Sequence, residues 1–383
     1  MKGDQFMKLI HLSDLHLGKR VYEYSMTEDQ EYILRQIIGI IDIEKPDGVI
    51  IAGDIYDKSV PPAEAVTLFD SFLSELCNRK IKVFCISGNH DSPERIAFGS
   101  KIMDGSGIYM SPVYNGIVEP ISLQDDYGEV NIYMLPFIKP VHMRHIFEDD
   151  SITTYNDAVA RAVSEMNVDT DKRNILITHQ FVTGSVRTES EELSVGGTDN
   201  VDASVFDKFD YVALGHLHAP QNCGKSTVRY CGTPLKYSFS EAKDQKSVTI
   251  VEMSGKGNTT YRTAELVPLH DMKEIKGKYS EIVKMDYYSG TTFQEDYLHI
   301  TLTDEQDIPD AAGRLRAIYH NLMKLDYDNL RTRADNTVFA ANVEKKSPIR
   351  LLEEFYKLRN NNEMNEEQKA YAKKLIEEIW EEN

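Results

Sequence analysis

Val83-Phe84-Cys85-Ile86-Ser87-Gly88-Asn89-His90-Asp91 opens as a short apolar strand and ends in a turn of metal-loving side chains. Asn and His end a buried strand poorly unless something satisfies their polar atoms, so this turn points to a site. Tyr211-Val212-Ala213-Leu214 repeats the arrangement by running into Gly215-His216-Leu217-His218. Three further segments do the same: residues 8–12 lead to Asp14-Leu15-His16, 49–52 to Gly53-Asp54, and 175–178 to His179. Taken singly, a Gly-Asp after a strand is ordinary turn chemistry. Five such segments in one chain point to convergence, because loops at the carboxyl ends of sheet strands are where open α/β folds gather their sites.

Helical patterns separate these strands. Thr27 offers an N-cap with Gln30 three residues on, ahead of Ile33, Ile37, Ile40 and Ile41 at helical spacing. After Pro61-Pro62, the apolar positions Val66, Phe69, Leu73 and Leu76 mark a second helix. The first two thirds of the chain therefore read as an α/β domain.

The pooled donors are imidazole, carboxylate and one amide oxygen, with no thiolate, and they suffice for two metal ions. That set suits manganese, iron or zinc in a hydrolytic pair better than a structural zinc, which usually recruits cysteine. Two metals roughly 3.5–4 Å apart clamp the attacking and leaving oxygens of a phosphate ester in an in-line displacement. Phosphoester hydrolysis is the chemistry these residues favour.

At 383 residues the chain exceeds one average domain, and 41% hydrophobic residues permit an ordinary core. No apolar run approaches 18 residues and no signal peptide is evident, so a soluble, cytoplasmic protein is expected. Cys77, Cys85, Cys223 and Cys231 form no Cys-x-x-Cys pair and read as free, mostly buried thiols. A formal charge of −19 argues against a generic DNA-coating protein but not against a nuclease, whose acidic site two metals would largely neutralise. Lys19, Arg20 and Arg95, which follow two of the metal-type turns, are the candidate DNA contacts.

The pattern changes near residue 271. Residues 280–285 and 297–302 look like strands, and 308–325 looks helical, with another strand near 329–333. Ser347-Pro348 begins a helix, and a second follows Asn365, where Gln368 completes a capping pattern ahead of Ala372, Leu375, Ile376, Ile379 and Trp380. His299 and His320 read as ordinary histidines. The domains are accordingly drawn at 7–270, 271–340 and 347–383.

These motifs resemble the calcineurin-like metallophosphoesterase superfamily, and more closely its branch of double-strand-break repair nuclease subunits. The likeness also rests on Val195-Gly196-Gly197-Thr198 and on Gly232-Thr233-Pro234-Leu235-Lys236-Tyr237-Ser238-Phe239-Ser240-Glu241. It implies a two-sheet sandwich flanked by helices, a small α+β capping domain, and a C-terminal helix pair that grips the coiled-coil base of an ATPase. It also implies that Asp14, His16 and His218 hold one metal, that Asn89, His179 and His216 hold the other, and that Asp54 bridges them. His90 would then protonate or stabilise the leaving oxygen, with Asp91 orienting its imidazole. A manganese-dependent exonuclease and endonuclease acting on double-strand ends and hairpins follows, nucleoid-associated, working as a homodimer in a two-plus-two assembly. The helices of residues 62–107 would form the dimer surface. No Gly-rich phosphate loop occurs, so ATP dependence would come from the partner. Archaeal and eukaryotic relatives carry a second catalytic His three residues after the bridging Asp, where this chain has Asp57. A phosphoesterase for small phosphodiesters or phosphoproteins would use the same metals, and a non-catalytic scaffold would usually have lost ligands.

Overall fold

The computed structural model describes residues 6–188, 191, 200–306, 308–329, 349–350, 352–353, 356–357 and 363–382. Val195 to Thr198, residues 330–333 of the strand expected near 329–333, and the expected helix start at Ser347-Pro348 lie outside them. The chain divides into two compact units, one running to Glu274 and including Glu295–Leu298, the other comprising Ile275–Gln294 and the residues from His299 onward.

Two six-stranded sheets build the first unit. In one, Met7–Leu12, Gly48–Ala52, Lys82–Ile86 and Ile108–Met110 run parallel, and Ser247–Met253 and Thr259–Glu265 extend it antiparallel. In the other, Gly128–Leu135, Arg173–His179, Tyr211–Gly215 and Lys225–Tyr230 run parallel between antiparallel edges at Ile121–Asp125 and Gln221–Cys223. Alternate residues face alternate sides of a strand, and the core follows that rule. Leu9, Ile50, Ala52, Phe84 and Ile86 meet Ile132, Ile175, Ile177, Tyr211 and Ala213 between the sheets. On the far side of the second sheet, Leu176, Val212 and Leu214 join Ala158, Val159 and Ala162 of the helix Tyr155–Glu165. Strands buried on both faces explain the continuous apolar runs in the sequence.

The helix Thr27–Glu44 buries Ile33, Leu34, Ile37 and Ile41 as the spacing predicts, but its cap differs. Thr27 is already helical and Met26 precedes it without a side-chain cap, while Gln30 is turned into the interior. In Ala63–Asn78, Phe69, Leu73 and Leu76 are buried, whereas Val66 faces outward. The four cysteines are free, with Cys77 partly exposed. Among the described residues no helix is long and apolar enough to cross a membrane.

The chain after residue 271 departs further from expectation. The strand falls at Met272–Gly277, not 280–285, where the chain makes two short helices, Tyr279–Ile282 and Met285–Tyr288. The burial there does not suit a strand, since Met285 is exposed and only Ile282 of that stretch is fully buried. The long helix expected over 308–325 is confined to Ala311–Arg316, and Leu322–Tyr327 is a strand in a three-stranded sheet with Met272–Gly277 and Tyr297–Leu302. Cross-strand pairing decides this: His299 Nε2 lies 2.8 Å from Asp326 Oδ2, which also makes His299 an ordinary paired histidine. The last helix, Glu366–Glu382, starts with the expected reciprocal cap, Asn365 N to Gln368 Oε1 at 3.0 Å and Gln368 N to Asn365 Oδ1 at 2.8 Å.

Candidate metal centre

The parallel strands of both sheets end at one seam, and the backbone there knits the loops together. Asp14 N donates to Gly53 O at 3.0 Å, His16 N to Asp54 O at 3.0 Å and Leu17 N to Ile55 O at 2.8 Å, so the first loop pairs with the second beyond the sheet. Gln30 pins the first loop from behind: its amide donates to His16 O at 2.7 Å and accepts from Gly18 N at 3.0 Å. Asp91 pins the third loop, its carboxylate accepting from Gly88 N at 2.9 Å, Tyr56 N at 3.0 Å and Ile55 N at 3.1 Å. Asp91 therefore ties two loops, and the acceptor facing His90 Nδ1 is the Asp57 carbonyl, at 3.1 Å. This corrects the expectation that Asp91 orients that imidazole.

Strain concentrates here. Asp14, His16, Asp54 and His216 all have positive φ, at 53°, 44°, 50° and 105°. Such backbone costs about 1–3 kcal/mol per residue and persists where surrounding contacts over-determine it. Two glycines allow the approach. A Cβ at Gly88 would overlap the Asp54 carboxylate, and one at Gly215 would overlap the Ala52 carbonyl.

The expected donors converge. Asn89 Oδ1 lies 3.0 Å from both His179 Nε2 and His216 Nδ1, and His179 Nε2 is 3.2 Å from Asp54 Oδ2. On the other side of Asp54, His16 Nε2 and His218 Nε2 face each other at 3.2 Å, and His16 Nε2 is 3.8 Å from Asp54 Oδ2. Asp14, His16 and His218 form one cluster able to hold an ion, and Asp14 and Asp54 form another with His179. Asp14 also receives His216 N on both oxygens at 3.1 Å. His90 Nε2 is 3.9 Å from Asp54 Oδ2, and its backbone N–H donates to Asp54 Oδ1 at 2.9 Å.

These donors suit cations. Two imidazole nitrogens directed at one another in a buried space need a proton or a metal between them. His179 Nδ1 donates to the Ala52 carbonyl at 2.8 Å, since a carbonyl only accepts, and this leaves Nε2 for the centre. Burial holds His16 and His216 well below the usual imidazole range, so their nitrogens are uncharged donors. Burial opposes charge on Asp54 and His179 too, but their mutual attraction prevails. The Asp54 carboxyl is held well below its usual range, and His179 is raised to about 9.

The basic residues singled out as DNA contacts have internal partners. Lys19 Nζ binds Asp57 Oδ1 at 2.6 Å, Arg20 reaches the Glu23 carbonyl, and Arg95 donates to Ser59 O at 2.9 Å. Several site residues are not evident from the motifs. Glu191 accepts from His218 N at 2.6 Å, Glu241 and Lys246 form a buried pair at 2.6 Å, and Tyr237 donates to Leu15 O at 2.6 Å. Tyr237 and Glu241 sit inside the 232–241 segment, which carries a family likeness in the sequence but no role.

The chain belongs to the calcineurin-like phosphoesterase family, whose model matches residues 7–220. Membership and the donor set together make the centre a divalent-metal site of a phosphoesterase. A second model, described as a type 5 capsule protein repressor C-terminal domain, matches residues 268–360. Within the family, the chain is 33% identical over 382 residues to a protein from Staphylococcus saprophyticus named as the D component of the SbcCD nuclease, covering 98% of this chain and 99% of that protein. The protein of the same name from Staphylococcus epidermidis is 32% identical over 374 residues, covering 97% and 98%. Among solved structures, a dimetal phosphatase from Danio rerio is similar over 70% of this chain and 99% of its own, at 12% identity and a TM-score of 0.43.

Proposed function

We propose that this chain is the nuclease subunit of an SbcCD-type complex and hydrolyses DNA phosphodiester bonds at double-strand ends and hairpins. With SbcC it would act as an ATP-dependent duplex exonuclease and single-strand endonuclease in DNA repair, recombination and replication. The observation that carries the reading is the convergence of Asp14, His16, Asp54, Asn89, His179, His216 and His218 from two sheets, with His90 beside them. A pair of divalent metals, Mn2+ in our reading, would supply positive charge for the phosphate oxygens and lower the pKa of an attacking water. Asp14, His16 and His218 would hold one ion and Asn89, His179 and His216 the other, with Asp54 offering its two anionic oxygens to both. His90, with Nδ1 against a carbonyl, presents Nε2 to the leaving oxygen.

Residues 271–340 act as a capping domain, and 347–383 bind the base of the SbcC coiled coil. In the described part of that tail, Tyr371 and Leu375 are exposed. A homodimer within a two-plus-two assembly is supported by Phe98 and Ile102, each 85% exposed between residues 62 and 107. An apolar pair so far out of the core suits a covered surface.

The test is cleavage of end-labelled linear duplex and hairpin DNA with Mn2+, with and without SbcC and ATP. Cleavage that needs Mn2+ and gains from SbcC with ATP is expected. Hydrolysis of a small phosphodiester with no DNA cleavage under any of these conditions would assign the site to a small substrate.

A further inference from the structure

The two imidazoles of the Asp14, His16, His218 set are backed alike. His16 Nδ1 is buried without a hydrogen-bond partner and faces Asp57 Oδ1 at 3.7 Å, and Lys19 Nζ holds that oxygen at 2.6 Å. His218 Nδ1 lies 3.7 Å from Glu241 Oε1, and Lys246 Nζ holds the other oxygen of that carboxylate at 2.6 Å. Lys246 also donates to His218 O at 3.0 Å, fixing the backbone that carries the ring. Tyr237 stands edge-on to both imidazoles, with ring centroids 5.7 Å from His16 and 6.3 Å from His218. At 3.7 Å each carboxylate stands behind its imidazole, on the side to which an Nδ1–H points.

The other pair is backed differently. His179 gives its Nδ1–H to a backbone carbonyl, and His216 turns Nδ1 itself toward Asn89. A carboxylate behind a ligating imidazole fixes its tautomer and makes the opposite nitrogen a stronger donor, beyond what a neutral carbonyl does.

On the two-metal reading above, we propose that Asp57 and Glu241, each clamped by a lysine, are positioning residues for His16 and His218. The Asp14, His16, His218 site consequently holds its divalent ion more tightly than the Asn89, His179, His216 site. Asp57 has a second task, since its carbonyl faces His90 Nδ1 at 3.1 Å. One residue thus sets a metal ligand through its side chain and His90 through its backbone.

Mn2+ titration of the metal-stripped full chain, by calorimetry with electron paramagnetic resonance to count bound ions, tests this. In the wild type two steps are expected, the tighter one absent from His16→Ala. Asp57→Asn should weaken the ion retained by His216→Ala by about 10–100-fold. It should leave the ion retained by His16→Ala unchanged. Glu241→Gln with Lys246→Met, which avoids stranding a buried lysine, should act in the same direction. Thermal unfolding of the metal-free Asp57→Asn protein should match the wild type, separating positioning from folding. Equal weakening in both backgrounds, or none in either, would overturn the proposal while leaving two-metal hydrolysis intact. Absence of Mn2+ binding by the wild type would overturn both.

Discussion

The two sheets meet at one seam with similar architecture and different chemistry. The first supplies both carboxylates, the amide oxygen, His16 and His90, on loops knitted by backbone hydrogen bonds. The second supplies only imidazoles, His179, His216 and His218. The carboxylates thus lie on the first sheet, and the cross-seam contacts, His179 to Ala52 O and His216 N to Asp14, bring the nitrogens to them. Assembly of the centre depends on closure of the seam, and the ligands nearest the charge depend on it most.

The largest effect should come from Asp54, where the two halves touch. Asp54→Ala should abolish cleavage at any Mn2+ concentration and lower the number of ions bound, because both halves converge on its carboxylate. His90→Ala should reduce kcat by roughly 10²–10⁴-fold while keeping both ions, as expected for loss of a proton donor. Metal analysis of the two purified variants checks the division, and equal metal loss in both would break it.

The seam itself can be probed without replacing a ligand. Gly215→Ala forces a Cβ into the Ala52 carbonyl and the His179 ring. It should destabilise the protein by on the order of 3 kcal/mol, as overpacking does. Gly39→Ala, inside the helix Thr27–Glu44 with no atom within 4 Å of the new methyl, should instead stabilise by about 0.5–1 kcal/mol. Denaturant melts of the two variants should differ in sign, and a mild Gly215→Ala would show that the seam relaxes.

The difference between the sheets also explains what the sequence disclosed. All five ligand segments are legible because each is a local event, a buried strand stopped by residues that end strands badly. Gln30 is not, since its amide reaches His16 O and the Tyr237 hydroxyl, 207 residues away, while the local pattern offers a helix cap. Asp91 is legible as part of the site, but its three backbone partners come from loop geometry that adjacency to His90 does not reveal. Residues 280–285 fail for a simpler reason: their strand-like look is not matched by burial.

The smallest effect, and the one that separates the two sheets most directly, is the pH dependence of metal binding. In the metal-free protein His179 is raised to about 9, burial being outweighed by Asp54, so at pH 7 it carries a proton on Nε2, the atom a metal needs. Asp54 is already ionised, and His16 and His216 are already neutral. Loading the site at pH 7 should therefore displace the His179 proton, and apparent Mn2+ affinity should rise with pH up to about 9. The linkage has the opposite sign for the metal-free fold. A raised imidazole stabilises fully below its unfolded value near 6.5, and that contribution is lost as pH climbs through about 9. Chelated protein should thus lose Tm from pH 6.5 to 9 while affinity for Mn2+ grows. No proton release on Mn2+ loading at pH 7 would show that His179 is already neutral before the metal enters.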